Sequence, residues 1–113
     1  MICDDQPEMR EVLRLTLEGD GHRIVGETGL ATGAITACQS SKPDVLVLDL
    51  MLAGMSGLQA IPFIKTESPD TKIVVCSAYA RHRSAARSLA VEAVVAKSGL
   101  DELRRVLKEI AGA

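Results

Sequence analysis

The stretch VLVLDLML, from Val45 to Leu52, contains one carboxylate, Asp49, inside an otherwise continuous apolar run. Hydrophobic residues at consecutive rather than alternate positions are typical of a strand that is buried on both faces of a parallel sheet. Because burying an unpaired charge costs several kcal/mol, Asp49 needs an explanation. It either marks the point where the chain returns to water or is a chemical group held on a rigid strand.

The composition favours one soluble α/β domain. The chain has 113 residues, of which 47% are hydrophobic and 25% charged, and its only aromatic residues are Phe63 and Tyr79, so we expect an aliphatic core. The net charge of −2 gives no support for nucleic acid as a direct partner, and no apolar run is long enough to span a membrane. The separated cysteines Cys3, Cys38 and Cys76 match neither a disulfide framework nor a zinc site, which favours a cytoplasmic location.

Short apolar runs that alternate with helical patterns predict a doubly wound, five-stranded parallel sheet with helices on both faces. The interruption that Pro62 makes in the third helix predicts a kink. The predicted strands are Met1–Cys3, Ile24–Val25 (an edge strand, since polar residues flank it), Val45–Leu48, Ile73–Cys76 and Ala93–Ala96. The predicted helices begin near Pro7, Leu30, Gly57, Ala80 and Leu100.

Polar residues follow four of the predicted strands, where ligands bind in folds of this class. Asp4 and Asp5 follow the first strand, Asp49 the third, Ser77 the fourth and Lys97 the fifth. Clustered carboxylates repel one another, and a hard divalent cation such as Mg²⁺ removes that conflict. The sequence therefore predicts a magnesium site at one edge of the sheet.

A cation beside Asp49 makes that carboxylate a plausible nucleophile toward phosphorus. Lys97 supplies further positive charge, the Ser77 hydroxyl supplies a hydrogen bond, and the small Ala78 leaves the approach open. Structural roles also remain open. In the structural interpretation, the acids after the first strand cap the helix that starts near Pro7. Asp49 is an ordinary loop residue in that interpretation, and Lys97 is a solvated amine.

Four segments together resemble the response-regulator receiver domain of bacterial two-component signalling, a CheY-like family. They are DDQPEMREVLRLTLE, PDVLVLDLMLAGMSGLQAI, IVVCSAYA and VVAKS, which occur in the family's order and cover essentially the whole chain. GHRIVGE and KSGLDEL are most similar to receivers that precede helix-turn-helix DNA-binding domains. The resemblance implies a flavodoxin-like sheet in the strand order 2-1-3-4-5.

The resemblance also implies the roles of individual residues. Asp49 corresponds to the phosphoacceptor. Asp4 and Asp5 correspond to the acid pair that holds Mg²⁺ together with Asp49, and the backbone carbonyl of Met51 corresponds to a further metal ligand. Lys97 corresponds to the lysine that contacts the phosphoryl group.

The residues that transmit the signal depart from the family pattern. Ser77 stands where the family has Thr or Ser, but Val94 stands where it usually has the aromatic residue that changes rotamer on phosphorylation. We therefore expect a weak response of the output surface, or a partial replacement of that role by Tyr79 beside Ala78. The first strand looks shorter than the family's, as in a trimmed chain, which predicts reduced stability.

The expected function is a phosphorylation-controlled switch that is not an enzyme beyond assisting its own phosphorylation and dephosphorylation. The phosphoryl donor would be a sensor histidine kinase or a histidine phosphotransfer protein. The output would be a protein target, a fused effector absent from residues 1–113, or a homodimer through the fourth helix, fifth strand and fifth helix. The alternative is a degenerate receiver that acts as a constitutive protein–protein interaction module.

Two enzyme-like or cofactor-binding alternatives fit the sequence poorly. An aspartyl phosphatase needs an acid two residues after its nucleophile, where this chain has Met51. A flavodoxin needs a phosphate-binding loop after the first strand, where DDQPEM presents carboxylates instead.

Overall fold

The computed structural model of the protein describes residues 1–112 and shows a five-stranded parallel sheet in the order β2-β1-β3-β4-β5. This confirms the predicted fold class. The strands are β1 (Ile2–Cys3), β2 (Glu27–Thr28), β3 (Val45–Leu48), β4 (Lys72–Ser77) and β5 (Ala93–Ala96). The helices are α1 (Pro7–Gly19), α2 (Ala31–Ser41), α3 (Gly57–Glu67), α4 (Ala80–Arg87) and α5 (Leu100–Gly112).

The consecutive apolar residues of β3 and β4 are buried because helices cover both faces of the sheet. Leu46 and Leu48 pack with α2, α3 and α4 on one face, whereas Val47 packs with α1 and α5 on the other. The amphipathic stripe at the end of the sequence behaves as predicted, since Leu103 and Leu107 of α5 are buried in the second cluster.

Local sequence signals explain where two of the helices begin. Pro7 is the first residue of α1, where its missing N–H and fixed φ are compatible with a helix. Ser56 and Gln59 form a capping box at the start of α3, each side chain bonding the other residue's backbone. α3 continues as one helix through Pro62, and the predicted kink stays a prediction.

The predicted second strand is wrong in position. The sequence placed it at Ile24–Val25, but the structure forms β2 at Glu27–Thr28, with Ile2 opposite Glu27. The reason is the length of the neighbouring strand. β1 has two residues, and the first of them, Ile2, already donates to the carbonyl of Gly26, so no residue of β1 lies opposite the apolar pair.

Candidate functional site

The predicted site residues follow strands whose carboxyl ends meet at one edge of the sheet. Asp4 directly follows β1 and Asp49 directly follows β3, and these two strands are hydrogen-bonded neighbours. Ser77 is the last residue of β4, and Lys97 directly follows β5. The fold therefore brings together the side chains that the sequence singled out on four separate segments.

Lys97 bridges the two buried carboxylates of this edge. Its Nζ lies 2.9 Å from Oδ2 of Asp4 and 3.0 Å from Oδ2 of Asp49. Both aspartates are only 2% exposed. Neither the loop interpretation of Asp49 nor the solvated-amine interpretation of Lys97 fits this burial and pairing.

The second oxygen of each buried carboxylate is held by the backbone two residues later. Oδ1 of Asp4 accepts from the N–H of Gln6 at 2.9 Å, and Oδ1 of Asp49 accepts from the N–H of Met51 at 3.2 Å. Asp4 does bond the residue before α1, but that bond alone leaves its ion pair with Lys97 unexplained. Both carboxylates are therefore fixed in orientation by one backbone N–H and one ammonium.

Burial and ion pairing act in opposite directions on the protonation of this cluster. Burial raises the pKa of Asp49, although the hydrogen bond and charge of Lys97 partly offset the effect. Burial disfavours the charged form of Lys97, but its hydrogen bonds to Asp4 and Asp49 outweigh that and raise its pKa. Because burial makes the charged form of Asp49 unfavourable, an added cation near Asp49 would stabilise its carboxylate.

Asp5 completes a group of three carboxylates that could hold a metal ion. One oxygen from each of Asp4, Asp5 and Asp49 lies within 4.8 Å of the others, and Asp5 is exposed while the other two are buried. An all-oxygen set at a partly open position suits Mg²⁺, which keeps several of its waters. The location of the Met51 carbonyl relative to these oxygens stays a prediction.

Ser77 places a hydroxyl without a partner beside the lysine. Its side chain is fully buried, and its Oγ makes no hydrogen bond within residues 1–112. Since an unsatisfied buried hydroxyl is unfavourable, this atom is free to accept or donate a bond to a group that enters the site. The Ser77 carbonyl, in contrast, accepts two bonds at 3.0 Å, from the Lys97 N–H and from Arg83 Nη1.

Apart from Ser77, the predicted switch residues differ in how far they are exposed. The Tyr79 side chain is 56% exposed, and its ring edge meets His82 with the ring centroids 5.5 Å apart. Ala78 is exposed, and its role beside the approach to Asp49 stays a prediction. Val94 is half-buried and packs against the core formed with α2, α3 and α4.

Three residues at this edge were missed by the sequence interpretation. Gln6 accepts from Lys97 Nζ at 3.4 Å, Arg10 donates to the Asp4 carbonyl at 2.7 Å, and Arg83 donates to the Ser77 carbonyl. No spacing pattern in the sequence indicates these contacts, because they depend on how a helix is oriented and on how far a long side chain extends.

Comparison with known proteins identifies the family. The family model described as response regulator receiver domain matches residues 1–108. The chemotaxis protein CheY of Thermotoga maritima is 30% identical over 96 residues, which are 85% of this chain and 76% of that protein. The transcriptional regulatory protein YdfI of Bacillus subtilis is 38% identical over 80 residues, 70% of this chain but only 37% of that protein.

The similarity extends to solved structures. The response regulator TrrA of Thermotoga maritima, solved in complex with Mg²⁺-BeF, has a TM-score of 0.88 and 32% identity, and the match covers 96% of this chain and 95% of that chain. The matches span between 23% and 36% of the length of the first three curated relatives. None of the helices within residues 1–112 has the length and apolarity needed to cross a bilayer. A receiver match over residues 1–108, the confirmed strand order and the acidic edge agree, and this chain belongs to the response regulator receiver domain family.

Proposed function

We propose that this receiver takes a phosphoryl group onto Asp49 from a phosphohistidine of a sensor histidine kinase or a histidine phosphotransfer protein, in a Mg²⁺-dependent step in the cytoplasm. One observation carries the proposal. Asp49 is a buried carboxylate with an ammonium 3.0 Å from one oxygen, within a cluster of three carboxylates. A structural role alone does not explain why three acids and a lysine gather at one sheet edge.

The residues of the chain supply positioning and charge for such a transfer. An oxygen of Asp49 attacks phosphorus while the P–N bond to the donor breaks, and the electron pair stays on the imidazole nitrogen, which then takes a proton from water. The Lys97 ammonium, which contacts Asp49, and the Ser77 hydroxyl, at the end of the neighbouring strand β4, stabilise the phosphoryl oxygens. Receiver domains bind Mg²⁺ at an acidic pocket, and here Asp4, Asp5 and Asp49 would hold it and neutralise charge on those oxygens.

The bridge that Lys97 makes would change when the site is loaded. Lys97 Nζ forms ion pairs with Asp4 and Asp49. These are also two of the three carboxylates that would hold the metal. A dianionic phosphoryl group offers the ammonium a more negative partner. Lys97 therefore shifts from the carboxylate pair to the phosphoryl group, and Ser77 gains its missing hydrogen bond.

These shifts would bias the surface formed by α4, β5 and α5, which we propose as the docking face for a protein target or a second copy. Lys97 follows β5 directly, and Ser77 ends β4 just before α4. Arg81 and Arg87 are exposed on α4 and suit an acidic patch on a partner, whereas Arg83 is bonded to the Ser77 carbonyl. In this proposal the chain transmits a signal and catalyses only reactions of its own aspartyl phosphate.

Intact mass spectrometry after incubation with acetyl phosphate tests the proposal. We expect one phosphoryl adduct that requires Mg²⁺ and is absent in Asp49→Asn. Asp44→Asn is the matched control, because Asp44 is an exposed aspartate at the opposite end of β3, and this variant should be phosphorylated like the wild type. An adduct that persists in Asp49→Asn would refute the assignment of the acceptor.

A folded wild-type protein that forms no adduct with either acetyl phosphate or a phosphorylated histidine donor would refute the switch. The constitutive interaction module would then be the better explanation of the same fold. The experiment tests this alternative because β5 has the half-buried Val94 where the family usually has an aromatic residue.

A further inference from the structure

Asp5 has the least direct support of the three acids at the candidate metal site. Asp4 and Asp49 each contact the Lys97 ammonium and accept a hydrogen bond from one backbone N–H. Within residues 1–112, no hydrogen bond involves the backbone or the side chain of Asp5, which is exposed. The direction of its carboxylate therefore depends on the peptide that joins Asp5 to Asp4.

Arg10 holds the carbonyl of that peptide. Its Nη1 donates to the Asp4 carbonyl at 2.7 Å, and a bond from a charged donor is stronger than one from a neutral group. The Asp4 N–H donates to the Thr28 carbonyl at 3.0 Å, which fixes the other side of the same residue. Because a peptide group is planar, a fixed carbonyl of Asp4 also fixes the N–H of Asp5 and the direction in which Asp5 begins.

The guanidinium of Arg10 is itself held in place by β2. Its Nε lies 3.6 Å from Oε1 of Glu27, and Arg14 Nη1 lies 2.6 Å from the other oxygen of that carboxylate. Arg10 and Arg14 are four residues apart on α1, so both side chains lie on one face and reach the same acid. The side chains of Arg10 and Glu27 are 22% and 25% exposed, so both are mostly shielded from water.

The charges of this network balance. Arg14 Nε also lies 3.8 Å from Oε1 of Glu18, so the network joins two arginines and two glutamates. It adds no net charge next to the three acids. Its effect on a cation at the acidic cluster is therefore through the orientation of Asp5 and not through long-range attraction or repulsion.

The contact between Arg10 and Asp4 requires a residue without a side chain at position 29. A Cβ on Gly29 would lie 3.1 Å from Arg10 Nη1 and 3.6 Å from the Cα of Asp5. The first distance is short enough that the guanidinium would have to move by a few tenths of an ångström. Gly29 therefore permits the approach of Arg10 to the peptide between the two acids.

We propose that Arg10 is a positioning residue for the metal site. By holding the peptide between Asp4 and Asp5, and being held in turn by Glu27, it keeps the Asp5 carboxylate within 4.8 Å of the oxygens of Asp4 and Asp49. The inference rests on the proposed Mg²⁺-dependent function and adds to it a residue outside the acidic cluster.

Calorimetric titration of the full chain with Mg²⁺ tests the proposal. Arg10→Lys keeps the charge but lacks the planar fork that reaches the carbonyl and Glu27 together, and Gly29→Ala keeps every charge and displaces the guanidinium. We expect each to weaken Mg²⁺ binding by about threefold to tenfold. Arg23→Lys is the matched control, since Arg23 is exposed and precedes β2, and it should bind Mg²⁺ like the wild type.

Arg10→Met separates orientation from charge by the sign of its effect. Removal of a nearby positive charge, taken alone, would tighten the binding of a cation. Loss of the contact with the Asp4 carbonyl weakens binding instead, because Asp5 is then free to turn away from the other two acids. We expect weaker binding in Arg10→Met, at a temperature well below the measured Tm of the variant.

A double-variant cycle with Asp5→Asn distinguishes positioning from a general loosening of the fold. If Arg10 acts through Asp5, Arg10→Lys should weaken Mg²⁺ binding in the wild type and have no further effect in the Asp5→Asn background. An equal loss in both backgrounds would overturn the proposal, since Arg10 would then support the fold as a whole.

Two other results would also overturn the proposal. One is wild-type Mg²⁺ affinity in both Arg10→Lys and Gly29→Ala, and the other is tighter binding in Arg10→Met. If the wild type binds Mg²⁺, these results refute the role of Arg10 and leave the proposed function intact. A folded wild type that binds no Mg²⁺ would refute the role of Arg10 and the Mg²⁺-dependent function together.

Discussion

Replacing Lys97 with methionine tests whether the lysine holds the buried carboxylates of the site in place. Methionine keeps much of the length and apolar stem but removes the ammonium that lies 2.9 Å from Asp4 and 3.0 Å from Asp49. Both carboxylates are buried, so the variant leaves negative charges without their cation. Asp49 already has a raised pKa through burial, and loss of Lys97 raises it further.

The expected loss of stability is about 3 kcal/mol in the absence of Mg²⁺. At an effective dielectric constant of about 20, each contact near 3 Å has a gross Coulomb energy of about 5 kcal/mol. Desolvation of the ions offsets most of this, and removal of one partner from a buried pair costs about 3–5 kcal/mol in general. The lower end applies here, because 16% of the Lys97 side chain is exposed to water.

Urea denaturation followed by circular dichroism, with EDTA present, measures this loss. The exposed Lys108 provides the matched control, and Lys108→Met should change stability by less than about 0.5 kcal/mol. In an Asp49→Asn background, the cost of Lys97→Met should fall to about half, because one of the two ion pairs is already absent. Excess Mg²⁺ should recover part of the lost stability of the single variant.

An equal cost of Lys97→Met in the wild type and in Asp49→Asn would refute this reasoning. It would mean that the lysine stabilises the protein through the packing of its stem and not through its charge. A cost unaffected by Mg²⁺ would separately refute the view that a divalent cation replaces the lysine at these carboxylates.

Three further variants test other parts of the structure. Asp5→Asn should weaken Mg²⁺ binding at least tenfold in a calorimetric titration and leave Tm nearly unchanged, since Asp5 belongs to the acidic cluster but is exposed. Gly57→Ala should destabilise the protein by about 2 kcal/mol in urea, although alanine favours helices, because its Cβ would lie 2.8 Å from Leu50 Cα. Arg104 lowers the pKa of Asp20, so this pair stabilises the protein above the ordinary carboxyl pKa of 3.8 and the contribution is lost as the pH falls through the lower folded value. Asp20→Asn should accordingly lower Tm more at pH 7 than at pH 2, and an equal loss at both values would contradict that assignment.

The sequence was sufficient to predict the strands and helices that are indicated by the pattern of neighbouring residues. The continuous apolar run of β3 predicts a strand buried on both faces, and Val45–Leu48 has the predicted bounds. The placement of Asp4, Asp49 and Lys97 also follows from the sequence, because residues that directly follow parallel strands must emerge at one edge of the sheet. The family resemblance, stated from four motifs, was confirmed by the match over residues 1–108.

The second strand shows where local signals are not sufficient. Ile24–Val25 has the composition of an edge strand, yet an edge strand exists only where a neighbour offers backbone groups to it. The two-residue β1 offers them to Glu27 and Thr28 instead. Side-chain composition specifies which backbone conformation is favourable, but pairing depends on the length and register of another segment.

The sequence by itself therefore determined the parallel sheet and the edge at which three carboxylates and a lysine meet. Only the tertiary structure decided that Lys97 bridges Asp4 and Asp49 and that Arg83 holds the Ser77 carbonyl. The physical reason is one of range. Periodicity along the chain records which face of an element is buried. The contacts of Lys97, in contrast, join residues far apart in sequence, and the contact of Arg83 depends on how α4 is oriented against the end of β4.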